Sequence, residues 1–281
     1  MKKRILTALV AVAMTTSSFA WEFPGFEWTV GADVTSSYIW RGLNFGGLAI
    51  QPDAMVGYGG LQLEAWANIS PADYKFKEFA PELDLTLSYS IFGFRVGITH
   101  QYYFDGTKFF DFKIPNATDF ENGNYGTNQT EVFGEFNLGD VVEEAPLHIG
   151  WYTYILGDDY IQDDAGNVKR AYSSYLDISY QFHLPVGFYI TPTVGMTPWK
   201  SMYNYYNEGF SVNNASLKFG WEYEAGDHFS LDVYAMAMVN TTGINKNNIW
   251  KSFTDTYTDV YANGVNTQRL NFAIGIGLWL Y

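Results

Sequence analysis

Chemistry in this chain would have to come from histidines, carboxylates and a few cations, because there is no cysteine for thiol catalysis, disulfides or thiolate metal sites. The four histidines are His100, His148, His183 and His228. A serine nucleophile acting on lipid needs a His within hydrogen-bond reach, and no Ser lies close to His100 in sequence, so His100 reads as an interfacial histidine. Glu82 and Asp84 stand two residues apart. Such a pair resembles an acidic dyad in composition, yet it fits the wall of a hydrated lumen better. The stretch Gly157-Asp158-Asp159-Tyr160-Ile161-Gln162-Asp163-Asp164-Ala165-Gly166-Asn167 gathers carboxylates of the kind hard cations prefer, without EF-hand spacing. It reads as a solvated loop. No catalytic residue, metal site or cofactor is expected, and the chain reads as a non-enzyme.

The elements that carry these residues alternate with period two, the mark of strands with two unlike faces. Twelve such runs can be read. Their apolar phases include Trp28 to Tyr38, Leu48 to Tyr58, Leu61 to Ile69, Leu83 to Tyr89, Phe94 to Phe104 and Val132 to Leu138. They continue with Leu147 to Ile155, Tyr172 to Phe182, Phe188 to Met196, Ala215 to Tyr223, Phe229 to Val239 and Leu270 to Leu280. The sixth run is the faintest. Across all twelve runs this phase holds no Asp, Glu, Lys or Arg, and His100 is its one histidine. A face this free of charge lies against something that cannot solvate charge.

The opposite phase holds Asp33, Asp53, Glu64, Glu82, Asp84, Arg95, Glu131, Glu135, Asp177, Lys218, Glu222, Asp232 and Arg269. That is ten acids against three bases. Tyr152, Tyr154, Tyr175, Tyr189 and Tyr234 share it and could narrow a lumen. A soluble sandwich also alternates, but two features favour a membrane barrel. Links alternate between short (Gly59-Gly60, Ile91-Phe92-Gly93, Gly139 to Pro146, Pro185-Val186-Gly187, Ala225-Gly226-Asp227) and long (near 39–47, 70–80, 105–128, 157–171, 199–213 and 240–267). Outward aromatics such as Trp28, Tyr58, Tyr89, Phe94, Phe136, Trp221 and Tyr223 crowd the short-link ends, as an interfacial girdle does. The reading is all-β: a transmembrane antiparallel up-and-down β-barrel of twelve strands, with short periplasmic turns and long extracellular loops.

The start Met1-Lys2-Lys3-Arg4, the apolar run Ile5 to Met14 and Ser18-Phe19-Ala20 form a secretory signal over 1–20, leaving 21–281 as the barrel. The apolar run is too short to span a bilayer. A net charge of −14 argues against nucleic acid as a partner. Aromatic residues make up 19 % of the chain, suited to a membrane interface. Outer-membrane lipid, the barrel-assembly machinery that reads a terminal aromatic, and a small-molecule solute are the expected partners, and the cell outer membrane is the expected location. Pro52 and Pro192 fall inside strands, where a missing N–H predicts a bend or bulge. Trp279 and Tyr281 share the inward phase, which leaves either a twisted last turn or a slip of parity.

The segment Asp33-Val34-Thr35-Ser36-Ser37-Tyr38-Ile39-Trp40-Arg41-Gly42 resembles the opening of a family of conserved hypothetical Gram-negative outer-membrane β-barrels, in which a Ser-Tyr-x-Trp-Arg-Gly motif ends the first strand. Ile50-Gln51-Pro52, Ala65-Trp66-Ala67, Glu82-Leu83-Asp84-Leu85, Ala171 to Tyr175 and Gly195-Met196-Thr197-Pro198-Trp199 resemble its Bacteroidetes-like version. The resemblance covers most of the mature chain and implies export and a barrel. It carries no activity. Of the motif residues Tyr38, Trp40, Arg41 and Gly42, Trp40 reads as a girdle anchor and Gly42 as a turn. Arg41 would meet a lipid head group or a loop carboxylate. The acidic lumen implies a narrow, cation-leaning, porin-like channel. The competing reading is a structural or surface-interaction barrel with a closed lumen and functional loops.

Overall fold

The structure is a computed structural model that describes residues 25–70, 81–163, 165–204, 209–226, 228–241 and 270–281. The expected signal segment and Arg269 lie outside the described residues. In chain order the strands are β1 (Phe26–Thr35), β2 (Tyr38–Trp40), β3 (Leu43–Gly46), β4 (Ala49–Tyr58), β5 (Leu61–Asn68), β6 (Glu82–Ile91), β7 (Phe94–Tyr103), β8 (Gln129–Asn137) and β9 (Leu147–Gly157). There follow β10 (Tyr160–Gln162), β11 (Val168–Arg170), β12 (Ser174–Tyr180), β13 (Phe182–His183), β14 (Phe188–Thr197), β15 (Ser211–Glu224), β16 (Phe229–Asn240) and β17 (Leu270–Leu280).

Sequential strands pair antiparallel, β1 closes on β17, and β12 closes on β14. With β13 continuing β12, and β2–β3 and β10–β11 standing apart as hairpins, the result is a closed twelve-strand barrel. Closure leaves no strand edge with unpaired N–H groups, which is what a bilayer demands of strands. The faint sixth run is β8, paired in full with β7 and β9. Outside, Val56, Leu61, Leu63, Leu87, Val96, Leu217, Phe272, Ile274 and Leu278 are exposed large apolar side chains. That belt, lacking charge, is the lipid-facing surface of an outer-membrane barrel. The girdle rings pack on one another at the short-turn rim: Phe94 and Phe136 are 4.6 Å apart between centroids, and Trp221 and Tyr223 5.8 Å.

The two prolines interrupt pairing without shifting register. Neither creates a bulge. Pro52 keeps its register with Ala32 of β1, and the β4–β5 ladder holds one register from the Ile50–Ile69 bridge to Asp53–Trp66. What is lost is the hydrogen-bonded pair between them, where Pro52 has no N–H to give. Pro192 does the same opposite β12 and β13, splitting one strand into two pieces of common register while pairing normally with Leu217 of β15. An antiparallel residue directs its hydrogen bonds to one neighbour only, so each proline interrupts one ladder and leaves the other whole. The register shifts fall elsewhere, at Thr130/Glu131 and at Gly195/Met196.

The final strand keeps its parity. Trp279 points inward opposite Gly31, and a Cβ on Gly31 would lie 2.3 Å from its ring. Similar pairs recur inside the barrel: Phe133 over Gly97, Tyr189 over Gly220 and Tyr234 over Gly275, each with the ring occupying the space a side chain would need. Glycine on one strand leaves room for a neighbour's ring to lie against the wall.

Candidate functional site: a hairpin inside the lumen

The first long link is not a surface loop. Tyr38 to Gly46 forms the β2–β3 hairpin, folded into the barrel. Trp40 pairs with Leu43 across a two-residue turn, Arg41-Gly42, with φ of 47° and 86°. Positive φ at both central residues gives the turn whose twist matches a hairpin. Gly42 adopts it freely. Arg41 does so at a cost, offset by what its side chain reaches. The motif therefore builds the hairpin rather than ending β1, which stops at Thr35.

Arg41 donates to Glu131 of β8 at 2.6 and 2.8 Å and to the Tyr203 hydroxyl at 2.8 Å. Its guanidinium lies over Trp40 at 4.3 Å and Tyr152 at 3.9 Å. The Arg41 and Glu131 side chains are only 9 % and 6 % exposed. Glu131 adjoins the β8–β9 register shift, a device that re-aims side chains. The expected partner of Arg41, a lipid head group or a loop carboxylate, is thus corrected to an inward carboxylate of the barrel wall. Trp40 is likewise no girdle anchor, since it packs inside against Phe45 and Tyr203. Tyr38 leaves the outward phase to donate to Glu82 at 3.1 Å, and Glu82 also accepts from Tyr103 at 3.0 Å.

Other contacts hold the hairpin from across the lumen. Asn240 of β16 donates to the Gly42 carbonyl at 2.8 Å, and Asn44 donates to Asn271 of β17 at 2.8 Å. Leu43 is buried with Tyr154, Tyr175 and Tyr203. The hairpin is anchored to β6, β8, β16 and β17, on different sides of the barrel.

Toward the short-turn rim the wall is ionic and partly wet. Arg95 bonds Glu64 at 2.9 Å and reaches Glu135 at 3.5 Å, and Tyr152 donates to Glu135 at 2.8 Å. Lys218 bonds Asp232 at 3.0 Å, which also accepts from Tyr189. His148 sits 3.3 Å from Asp177. Arg95 and Lys218 keep 25 % and 33 % of their side chains accessible although they face inward. Asp53 and Asp84 lie inward beside Trp66, Asp33 beside Gly277, and Glu222 is exposed near the rim. The described inward residues do not converge on one centre. They form the upper collar that grips the hairpin and the charged wall beneath it.

Of the histidines, His100 is outward as expected, but covered. The segment Lys108 to Lys113 folds back on it: the Phe109 carbonyl is 2.8 Å from Nε2, Thr130 Oγ1 is 2.9 Å from Nδ1, and the ring packs on Phe109, Phe110 and Phe112. Both ring nitrogens are satisfied, with no serine in the arrangement.

The acidic loop uses its carboxylates to build backbone. Asp163 accepts from the N–H groups of Asn167 and Ala165, closing the β10–β11 hairpin, and these bonds hold its carboxyl below the usual range. Asp159 accepts from the N–H and hydroxyl of Ser173. Burial pushes Asp158 up to about 7, aided by the charges of Asp159 and Asp105. Among the described residues no His, Asp and Glu side chains converge as a metal site.

No protein-family model and no curated protein matches the sequence. Among solved structures, a NanC porin is 11 % identical over 91 % of this chain and 100 % of its own, with a TM-score of 0.48. A CymD monoaromatic hydrocarbon channel is 8 % identical over 96 % and 92 %, at 0.38. Salmonella typhi OmpF in complex with daunomycin is 8 % identical over 91 % and 97 %, at 0.36. Likeness at this level transfers no activity; the barrel assignment stands on strand closure and the charge-free exterior.

Proposed function

We propose that this barrel is a narrow, cation-leaning channel for small solutes, with the β2–β3 hairpin as its constriction. The observation that carries it is the partly water-accessible ionic wall inside a closed barrel: a core meant only to be solid would not keep Arg95, Glu64, Lys218 and Asp232 in contact with solvent. Inward acids outnumber inward bases, and Arg41, the cation the hairpin adds, is already paired with Glu131. An acidic wall favours cations over anions. Purified protein in planar lipid bilayers should give discrete conductance steps with a reversal potential of cation sign under a salt gradient. Anion selectivity would overturn the cation preference, and a bilayer that stays sealed would overturn the channel.

A second reading, a closed barrel acting through its outer surface, draws on the same hairpin, which is anchored to four barrel strands. A bilayer that stays sealed with the intact protein, and conducts once the hairpin is deleted, would favour it.

A further inference from the structure

Beside the hairpin lies a cavity of about 300 Å³. Its wall joins the hairpin to β4, β5, β6 and β16 through Tyr38, Trp40, Gln51, Trp66, Asp84 and Tyr234. Four of these six are aromatic, and Tyr38 and Trp66 pack together with ring centroids 5.7 Å apart.

Four of the polar side chains around the cavity spend donors within the protein. Thr35 donates to the Ser37 carbonyl, Ser37 to the Gly46 carbonyl, Tyr38 to Glu82 and Gln51 to Asn68. These donors are engaged. Asp84 is different: its Oδ2 accepts only a long bond of 3.4 Å from Gln101, and its Oδ1, buried, has no partner among the described residues. A buried carboxylate oxygen without a donor is a costly arrangement unless something supplies one. Glu82 stands two residues away on the same face of β6, bringing a second carboxyl to that side, and Arg41 is bound by Glu131. Aromatic faces attract cations, and in this barrel the Trp40 ring already holds one, the Arg41 guanidinium.

We propose that this cavity binds a small primary ammonium compound, its N–H groups donating to Asp84 and its alkyl part lying against Trp66 and Tyr38. A neutral sugar would bring hydroxyls but no charge to the buried carboxylate, and an anion would be repelled by it. The inference deepens the channel reading, on which it rests for the route by which a solute arrives, by naming a solute class.

The test is calorimetry on the full-length folded protein in detergent, with butylammonium, butyrate and glucose as probes. Saturable binding of butylammonium is expected, with butyrate and glucose at least tenfold weaker. Asp84→Asn should raise the butylammonium dissociation constant about tenfold or more, the scale of one lost charge-assisted hydrogen bond. Trp66→Ala should weaken it independently, and circular dichroism checks that each variant is folded. Absence of saturable binding, equal binding of glucose or butyrate, or unchanged affinity in both variants would overturn the site. These outcomes are separate from those for conduction: a barrel that conducts without binding butylammonium refutes the site alone, and one that binds without conducting refutes the channel alone.

Discussion

Arg41 and Glu131 meet as a bidentate pair, at 2.6 and 2.8 Å, although they lie 90 residues apart in the chain and on different elements, a lumenal hairpin and the barrel wall. The guanidinium is held between Trp40 and Tyr152. Breaking one partner of such a buried pair costs about 3–5 kcal/mol, because the other charge is left without compensation. The hairpin can escape that cost by leaving its seat. Glu131→Gln and Arg41→Ala should therefore raise single-channel conductance in planar bilayers and expose the 38–46 segment to protease. Arg41→Lys should behave like the alanine variant, since an ammonium cannot reproduce the two parallel bonds. Unchanged conductance and protection in all three would show that the pair does not hold the constriction.

The glycines beneath inward rings give a second expectation. A Cβ on Gly220 would come within 2.2 Å of the Tyr189 ring, and on Gly275 within 2.3 Å of the Tyr234 ring. Gly220→Val and Gly275→Val should push each ring into the lumen, lowering conductance and destabilising the barrel by about 1–3 kcal/mol, the usual cost of overpacking. Thermal unfolding followed by circular dichroism reads the stability change. Gly134 is the control, because a Cβ added there would meet nothing within 4 Å. Gly134→Ala should leave both quantities unchanged.

His100 ties the segment around Phe109 to the outer wall through one hydrogen bond and three ring contacts. His100→Ala should loosen that segment by about 1 kcal/mol for the bond, with the ring contacts in addition. Faster proteolysis within 105–128, with barrel stability intact, is the expected result. Equal cleavage rates would show that the segment is held by its other contacts, such as Arg170 on the Phe112 carbonyl at 2.8 Å.

The extracellular rim should respond to pH through Asp158. Its carboxyl ordinarily titrates at 3.8 and is raised to about 7 by burial and then by Asp159 and Asp105. The folded loop thus binds a proton that the unfolded loop has released, and its stability falls as pH rises between about 4 and about 7, levelling above that. Amide exchange at Asp158 itself, whose N–H donates to the Asn128 carbonyl at 2.8 Å, should be slower at pH 5 than at pH 8 after correction for intrinsic rates. Asp158→Asn should flatten the difference. A loop equally protected at both pH values would contradict this.

Much of the barrel is legible in the sequence because its information is local. Alternation records, residue by residue, which side of a strand meets lipid and which meets the lumen, and each turn or loop length is written in its own segment. The runs starting at Trp28, Leu61 or Phe229 need no partner to be recognised. The prolines are visible there too, but their effect is not. Pro52 and Pro192 do cost a hydrogen-bonded pair, yet a bulge depends on the neighbours' register, and the pairs on either side keep that register fixed.

The hairpin is the least legible part, although a signal exists: Arg41-Gly42 between the alternating Tyr38, Trp40, Leu43 and Phe45 is a two-residue turn flanked by apolar strands. Nothing within 38–46 says that it turns inward. That depends on Glu131, Tyr203, Asn240 and Asn271, which are 90 to 227 residues away and meet the segment only once the barrel closes. The sequence by itself determined a closed, lipid-facing wall with an acidic interior, since burial against lipid or water selects residues one position at a time. Tertiary structure alone decided how that interior is filled, because a buried ion pair and an aromatic clamp are properties of groups brought together from distant strands.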